Sequence, residues 1–136
     1  MTEQLPANPG ATVSGPFWSA VRSHSLKVQQ CDICGHSQHP PRIFCINCGG
    51  RQLSFRDANG LGTIYSFTVV HRAFVPELAH RVPYALALVE MEGGLRMLGR
   101  IADCEHTELE IGQDVEIDYE ELTEAITLPV FRLRQA

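Results

Sequence analysis

Runs of β-branched, aromatic and aliphatic residues dominate the chain from residue 60 to its end. They predict five β-strands, at residues 60–72, 83–91, 95–102, 114–121 and 127–133. Residues 114–121 alternate cleanly, which places Val115, Ile117 and Tyr119 on a buried face and the acidic residues between them in solvent. Residues 83–91 are nearly all apolar, so this strand is buried on both faces or forms a tight barrel wall.

Glycine, proline and polar residues punctuate these strands. Residues 92–94 (EGG) are typical of a hairpin turn, residues 104–113 form a polar connection with room for one helical turn, and Pro129 marks an edge or a bulge. Gly62 and Gly99 lie inside predicted strands, where a small closed barrel needs sharp bends or bulges. Five strands in roughly 80 residues fit a Greek-key barrel of the OB type; an SH3-like barrel or a small sandwich fits the pattern nearly as well.

The first part of the chain has a different pattern. Residues 1–15 have the Pro, Gly, Ala and Thr content of a flexible tail and lack the features of a secretory signal. Residues 16–24 predict a short helix with Phe17 and Val21 on one face and Trp18 beside them, and LKVQQ follows as a strand. Because so short a helix is not stable alone, Phe17 and Trp18 are buried either in the chain's own core or against a partner subunit.

Four cysteines form two Cys-x-x-Cys pairs ten residues apart: Cys31 with Cys34, and Cys45 with Cys48. A glycine follows each pair and permits the tight turn in which backbone N–H groups point at thiolates. This spacing predicts a tetrahedral four-sulfur site, and four protein ligands leave no open position for water or substrate. The metal is therefore expected to be structural, with zinc as the expected ion and iron as the competitor.

Three other side chains could in principle bind a metal or react, but neither role is expected for them. His36 and His39 lie between the cysteine pairs and are expected at the surface rather than as ligands. Cys104 stands between two acidic residues, which disfavour a thiolate, so a free thiol is expected there rather than a nucleophile. Cysteines spaced for a metal are typical of a cytoplasmic protein, and no run of about 18 apolar residues predicts a membrane span.

Charge divides the chain into a basic and an acidic part. Residues 17–56 hold five Lys and Arg against one Asp, a net charge of +4. Residues 57–136 hold six Arg against fourteen Asp and Glu, a net charge of −8. A divalent metal with four thiolates contributes about −2 and reduces the basic part. This polarity bears on the choice of partners and ligands rather than on the fold.

The order of these motifs resembles one protein family closely, over residues 16 to 133. The matching segments are FW at 17–18, QQCDICG at 29–35, PPRIFCINCGG at 40–50, GLGTIYSFTVVHR at 60–72, PYALALVEMEGGLRMLGRI at 83–101, IGQDVEIDYEE at 111–121 and LPVFR at 128–132. The family comprises small OB-fold proteins with a rubredoxin-like zinc ribbon, long described as a domain of unknown function and linked to acyl-CoA metabolism. The combination of segments is specific, whereas no single segment is.

The resemblance implies a mainly β protein with an N-terminal helix and zinc ribbon at 16–56 and a five-stranded OB-fold barrel at 57–136. It also implies a non-catalytic accessory subunit that binds acyl-CoA or docks on a thiolase-like enzyme, such as a thiolase, an aldolase or a synthase complex. The catalytic residues would belong to that enzyme.

Several residues are candidate contacts for such a ligand or partner. Arg42, Arg51 and Arg56 lie in the basic part and could pair with the phosphates of coenzyme A. Tyr65, His71 and Arg72 lie on or just beyond the first long strand, where the barrel's ligand or partner face is expected, although Tyr65 could equally pack in the core. Phe17, Trp18 and Phe131 are candidates for partner docking; Phe131 could instead help close the barrel.

Three other functions are compatible with parts of the pattern. Zinc ribbons and OB folds occur in nucleic-acid-binding modules, but a barrel of charge −8 would repel phosphates. An electron carrier with iron at the four-sulfur site would need redox partners that nothing else in the sequence indicates. An independent enzyme is disfavoured because the sequence shows no phosphate-binding glycine loop, nucleophile elbow or open metal site.

Overall fold

The computed structural model describes residues 13–73, 76, 79–102 and 104–134, which contain one α-helix and eight strands. The elements are α1 (Gly15–Arg22), β1 (Lys27–Cys31), β2 (Ser37–Gln38), β3 (Leu53–Asp57), β4 (Leu61–Val70), β5 (Tyr84–Met91), β6 (Arg96–Arg100), β7 (Asp114–Glu121) and β8 (Thr127–Leu133). Within these ranges, no helix is long and apolar enough to cross a membrane. Of the tail predicted at residues 1–15, residues 1–12 lie outside the described part of the chain.

Helix α1 ends at Arg22, two residues before its predicted end. The N–H of His24 donates to Val21 O and the N–H of Ser25 donates to Ala20 O, both at 2.9 Å. This pair of hydrogen bonds defines a Schellman motif, in which the residue after the C-cap takes a left-handed conformation. His24 occupies that position with φ 58°, so it terminates the helix that the apolar pattern would extend.

The ring of His24 compensates for its unusual backbone conformation. It stacks on Tyr119 of β7 with ring centroids 5.0 Å apart, and Nε2 lies 3.1 Å from Glu121 Oε1. A left-handed conformation costs a residue with a Cβ roughly 1–2 kcal/mol, which these two contacts offset in part. They also fix the end of α1 against the barrel.

A three-stranded antiparallel sheet in the order β2-β1-β3 forms the base of the cysteine-rich segment. The sequence predicts only β1 of these strands. In the register, Gln29 of β1 lies opposite Gln38 of β2 on one side and Phe55 of β3 on the other. Strand β1 runs into the first cysteine pair and β3 leaves the second, so both pairs are attached to the same sheet.

The five strands predicted after residue 57 form a second sheet in the order β6-β5-β4-β7-β8, with antiparallel neighbours throughout. A parallel bridge between Ile101 and Phe131 joins the two outer strands, and Ala102 N–H donates to Phe131 O at 2.7 Å. The sheet is therefore a nearly closed barrel of the OB type. An ion pair from Arg100 of β6 to Glu120 of β7 reaches across the same seam.

The bounds of the predicted strands agree with the structure to within one or two residues. Residues 114–121 and 127–133 are strands over their whole predicted lengths. Strand β5 buries alternate residues from Ala85 to Met91 and leaves the others half-buried, so the barrel-wall interpretation is correct. Pro129 lies in β8, an outer strand of the sheet, as an edge position requires.

Gly62 and Gly99 both lie where a side chain would collide with its neighbours. A Cβ at Gly62 would lie 2.5 Å from Val89 Cγ1, and one at Gly99 would lie 2.8 Å from the ring of Phe131. The bulge of strand β4 falls between Ile64 and Ser66 instead. Neither glycine is therefore at a bulge, and close contact with neighbouring strands of the barrel accounts for both.

One hydrophobic core joins the two sheets and the helix. Phe17 and Val21 of α1, together with Leu26 and Val28, are buried in the same cluster as the inward side chains of the barrel, such as Val115. The base of the cysteine-rich segment is therefore anchored on the barrel rather than folded apart from it. Burial of this shared apolar surface is the main stabilising term that links the two parts.

Candidate metal centre and ribbon surface

Two turns of the same shape carry the four cysteines. In the first, Gly35 N–H donates to Cys31 O at 3.0 Å; in the second, Gly49 N–H donates to Cys45 O at 2.9 Å. The two glycines have φ values of 79° and 80°. A residue with a Cβ adopts this left-handed conformation only with strain, so each turn favours glycine directly after the cysteine pair. The two cysteine pairs thus lie in turns of the geometry that their spacing predicts.

The four Sγ atoms of Cys31, Cys34, Cys45 and Cys48 lie within 4.8 Å of one another. The sulfur–sulfur distance is 3.6 Å for Cys31 with Cys48 and for Cys34 with Cys45. A tetrahedral site with metal–sulfur bonds of about 2.3 Å has sulfur–sulfur edges of about 3.8 Å. The side chains are thus already spaced for one metal ion, and no other His, Asp or Glu in the described part of the chain joins the cluster.

Hydrogen-bond donors surround the sulfurs. Backbone N–H groups lie 3.4 Å from three of them: Ile33 to Cys31, Asn47 to Cys45 and Gly50 to Cys48. The Asn47 side-chain amide lies 3.5 Å from the sulfur of Cys34, and this contact is the main reason that the pKa of Cys34 falls to about 6. Donors directed at sulfur favour the thiolate, which is the form that binds a metal.

At Cys48, by contrast, the crowding of the thiols raises the pKa. The Gly50 N–H lowers the pKa of Cys48, but the neighbouring Cys31 thiol and desolvation raise it more, to about 11. Four thiols in this space therefore do not ionise together unless a cation balances their charge. Metal binding at this site releases protons for that reason.

The two histidines between the cysteine pairs do not join the sulfur cluster, as expected. His39, like His36, is half-buried rather than fully exposed. Its ring packs against Phe17 with centroids 4.9 Å apart, and its Nδ1 atom is buried without a hydrogen-bond partner. Burial lowers the pKa of His39 to about 4. His39 is thus a neutral, largely apolar contact between the ribbon and α1.

Two buried glutamines, which the sequence interpretation missed, hold the loop between the cysteine pairs. Gln29 of β1 accepts from Arg42 N–H and donates to Arg42 O, both at 2.9 Å. Gln38 of β2 donates to Gln29 Oε1 at 2.7 Å and to Phe44 O at 3.1 Å, and accepts from Ile46 N–H at 3.0 Å. Both side chains are almost inaccessible to solvent. Their amides replace the backbone pairing that an irregular loop lacks.

The loop and the knuckles expose large apolar side chains. Their exposed fractions are 60% for Ile33, 63% for Ile43, 43% for Phe44 and 56% for Ile46. Ile33 also lies against the second knuckle, since its Cδ1 is 2.6 Å from the position of a Cβ on Gly50. We call these four residues the ribbon patch. The ribbon has no apolar core of its own around the metal site, because its apolar side chains face solvent.

The three candidate arginines of the basic part have different surroundings. Arg42 and Arg51 are exposed. Arg56 is half-buried, and its guanidinium donates to Ser37 Oγ at 3.0 Å and to Asp57 O at 3.3 Å. Arg56 therefore stabilises the small sheet, whereas the side chains of Arg42 and Arg51 project from the ribbon.

The three candidate contact residues of the barrel lie away from the ribbon arginines, on or beyond β4. Tyr65 is exposed on the outside of β4, with the guanidinium of Arg96 3.8 Å above its ring, so it does not pack in the core. His71 and Arg72 are exposed beyond the end of β4, and the His71 ring contacts the His106 ring at 5.6 Å between centroids. The six candidate contact residues make no hydrogen bond, ion pair or ring contact with one another among the described residues.

The candidate docking residues are mostly internal. Phe17 is 3% exposed and Phe131 is fully buried beside Gly99, so both belong to the chain's own core. Phe131 fills the barrel at the seam, as the barrel-closing alternative requires. Only Trp18, which stacks edge-on against Phe17 at 5.0 Å, keeps part of its side chain at the surface.

Cys104 is half-buried next to acidic side chains. Burial raises its pKa, and the carboxylates of Glu108 and Glu105 raise it further. The thiol form is favoured, in agreement with the prediction of a free cysteine.

Two family models match the chain. The ChsH2 rubredoxin-like zinc ribbon domain matches residues 18–54, and the ChsH2 C-terminal OB-fold domain matches residues 55–120. A "DUF35 domain-containing scaffold protein" of Methanothermobacter thermautotrophicus is 32% identical over 74% of this chain and 76% of its own length. A "probable enoyl-CoA hydratase alpha subunit" of Thermomonospora curvata is 35% identical over 96% of this chain, which spans 42% of that protein's length.

The fold is similar to a solved structure with a related sequence. The structure of the "Ltp2-ChsH2(DUF35) aldolase" contains a chain that superposes with a TM-score of 0.79 at 33% identity. The superposition covers 88% of this chain and 93% of the other. The match therefore includes both the cysteine-rich segment and the barrel.

Proposed function

Because the chain belongs to the DUF35 family of ChsH2-type proteins, in which a rubredoxin-like zinc ribbon precedes an OB-fold barrel, we propose that it is a non-catalytic accessory subunit of an enzyme that acts on acyl-CoA substrates. In this function the chain docks on a thiolase-like partner, such as a thiolase, an aldolase or a synthase. A relative carries the name of a hydratase alpha subunit, so a hydratase is the second candidate partner.

The observation that carries this proposal is the similarity to the ChsH2(DUF35) chain of an aldolase that is named for two components. The similarity covers almost all of both chains, so it concerns the whole unit and not a shared motif. A chain of this kind alone is then expected to present a surface that is covered in a complex.

The metal site supports a role without catalysis in this chain. Four thiolates complete a tetrahedron and leave no position for a substrate or a water molecule. We propose zinc as the ion, held by Cys31, Cys34, Cys45 and Cys48 as a structural centre. Metal analysis tests this: one zinc per chain in a colourless protein is expected, whereas iron with visible sulfur-to-iron absorption would contradict it.

The proposed setting is the cytoplasm, because unpaired cysteines arranged for a metal persist where disulfides do not form. Nucleic acid is not an expected ligand, since the barrel part carries a net charge of −8.

Isolation of the tagged chain from its native host tests the docking proposal. Mass spectrometry of the co-purified proteins is expected to identify an acyl-CoA enzyme of the thiolase, aldolase or hydratase class at near-equal amounts. Recovery of RNA or ribosomal proteins in its place would contradict the proposal and favour the nucleic-acid alternative.

Acyl-CoA contact is a separate part of the proposal. Arg42 and Arg51 project from the ribbon and could pair with coenzyme A phosphates in the assembled complex. We expect Arg42→Ala to weaken acyl-CoA binding by the complex about tenfold without loss of metal or fold. Arg22→Ala removes the same charge at an exposed position of α1 and is the matched control. If Arg42→Ala changes neither affinity nor assembly, Arg42 contacts neither acyl-CoA nor the enzyme.

A further inference from the structure

The ribbon patch is the largest group of exposed apolar side chains in one segment of the described residues. The described residues include eight large apolar side chains that are exposed. Four of them form the ribbon patch: Ile33, Ile43, Phe44 and Ile46. The rest are distributed over the start of α1 and three places on the barrel: Val13, Tyr65, Leu98 and Ile111. Large exposed apolar groups of this kind, with polar surroundings, mark interaction surfaces.

The loop that carries the patch is held rigidly. Gln29 and Gln38 direct their buried amides at the backbone of Arg42, Phe44 and Ile46. Buried polar groups are costly unless every bond is made, so this network stabilises one loop conformation against others. The loop therefore presents Ile43 and Phe44 without the ordering cost that a flexible loop would meet on binding.

Charge restricts which surface can cover the patch. Arg42 directly precedes Ile43 and Arg51 follows the second knuckle, whereas Asp32 precedes Ile33. The 17–56 part has a net charge of +4, reduced by about 2 when the four thiolates hold a divalent metal, and the barrel part has −8. A partner that approaches the ribbon thus meets a segment of net positive charge, with two exposed arginines next to the patch in sequence. A surface with an apolar depression bordered by carboxylates fits this arrangement, and the acidic barrel would repel the same surface.

We propose that the ribbon patch is the docking surface for the enzyme subunit, and that the enzyme offers an apolar depression bordered by Asp and Glu side chains. This inference rests on the proposed function and assigns the interface to Ile33, Ile43, Phe44 and Ile46, with Arg42 and Arg51 at its rim. The arginines increase the association rate and the patch supplies most of the affinity.

Two other occupants are less compatible with the charges. A symmetric contact between the patches of two copies would bring their arginines together. An anionic lipid surface would attract the ribbon but repel the barrel, whose net charge is −8. A ribbon-to-barrel contact between copies is attractive by charge, but a contact of this head-to-tail kind need not close on itself and can continue into chains of copies.

Paired variants of the full-length tagged chain test the inference in the native host. Ile43→Ser with Phe44→Ser removes the centre of the patch. Leu98→Ser with Ile111→Ser removes two barrel side chains that are 63% and 69% exposed, close to the exposure of Ile43. The readout is the amount of acyl-CoA enzyme recovered per tagged chain, by mass spectrometry. Equal metal content and equal urea midpoints show that each variant is folded.

The expected result is at least a tenfold loss of the enzyme with the patch variant and wild-type recovery with the barrel variant. Full recovery with the patch variant, or loss with the barrel variant, would overturn the inference and leave the proposed function intact. Failure of the wild-type chain to recover any acyl-CoA enzyme would overturn the proposed function, and the inference with it.

Measurements on purified proteins separate the other occupants. Sedimentation velocity of the chain alone is expected to give a monomer, and co-sedimentation with phosphatidylserine–phosphatidylcholine vesicles is expected to give no binding. Patch-dependent dimers or patch-dependent vesicle binding would overturn the choice of occupant. With the purified enzyme, Arg42→Glu with Arg51→Glu is expected to slow association about tenfold and to reduce its dependence on salt.

Discussion

His39 is a titratable residue that the fold uses as an apolar one. Its ring contacts Phe17, and its buried Nδ1 atom has no partner. The pKa of His39 is lowered by burial to about 4, whereas the unfolded chain has the ordinary value of about 6.5. The unfolded state therefore takes up a proton first on acidification. The contribution to stability is complete above pH 6.5 and is lost as the pH falls from 6.5 towards 4.

His39→Phe is predicted to remove this pH dependence. Between pH 7.5 and pH 5 the wild-type chain is expected to lose about 2 kcal/mol more free energy of unfolding than the variant. Urea unfolding of both proteins at the two pH values measures the difference, and the loss of thiolate–metal bonds in acid is common to both. An equal loss in both proteins would show that His39 is not neutralised by burial.

Position 99 requires glycine because the Phe131 ring lies directly against its Cα. A Cβ at this position would lie 2.8 Å from two carbons of the Phe131 ring, and Phe131 has no free space because it is fully buried. Gly99→Ala is therefore predicted to lower the free energy of unfolding by about 1–3 kcal/mol. The added Phe131→Leu substitution makes room, so its cost in the Gly99→Ala background should be smaller than in the wild-type chain. A double-mutant cycle by urea unfolding measures this coupling, and additive effects would contradict the contact.

At this scale, residue types predicted some roles and not others. The glycines after the cysteine pairs and the acidic neighbours of Cys104 were informative because the relevant chemistry is local in sequence. The burial of His39 and Phe131 was not accessible, because each is covered by residues far away in the chain. Phe131 in particular has the same local pattern whether it closes the barrel or faces a partner.

The loop between the knuckles is the element that depends most on buried polar groups. After β2 its residues 39–44 belong to no strand, yet Gln29 and Gln38 bond the backbone at Arg42, Phe44 and, in the second knuckle, Ile46. Each of these bonds replaces one that solvent would otherwise supply. Loss of a donor inside the network leaves a buried acceptor unpaired, and that penalty exceeds the net gain from an ordinary hydrogen bond.

Gln38→Glu is predicted to disrupt this loop. A carboxylate cannot donate to Gln29 Oε1 or to Phe44 O, and it would place negative charge against both oxygens. We expect a loss of about 2–4 kcal/mol in the free energy of unfolding. Hydrogen exchange is expected to accelerate at the Arg42 and Ile46 amides.

Gln30→Glu is the matched control for this change. Gln30 lies on the same strand as Gln29 but makes one exposed bond, to Gly35 O at 3.1 Å. Its replacement should cost less than 1 kcal/mol, or about the value of one exposed hydrogen bond. Similar costs for the two variants would contradict the account of the buried network.

The elements were predictable to different degrees for a physical reason. Strand β7 was predicted over its whole length because its sequence alternates, and β8 because its apolar run is bounded by polar residues. Helix α1 was predicted too long, because the end of the helix depends on His24 and its contacts with β7. Strands β2 and β3 are short and were not predicted, because each is defined by its pairing with β1 across a cysteine-rich segment rather than by an apolar pattern of its own.

At the scale of the whole molecule, a basic ribbon and an acidic barrel share one hydrophobic core. Spacing along the chain was sufficient to predict the cluster of four cysteines. The strand pattern alone left three small β folds open, and only the resemblance to a known family singled out the OB barrel. The exposed ribbon patch was not predicted. An apolar residue in a short loop has the same sequence signature whether it is buried or displayed, so only the structure could distinguish the two.

The central claim is that the chain contributes to acyl-CoA chemistry without performing it. Turnover of acyl-CoA thioesters by the purified chain, by its co-purified enzyme, and by an equimolar mixture of the two tests this claim most directly. The account predicts no turnover above buffer by the chain alone, and at least tenfold more turnover by the mixture than by the enzyme alone. Turnover by the chain alone, or an enzyme whose activity is unchanged by the chain, would contradict it.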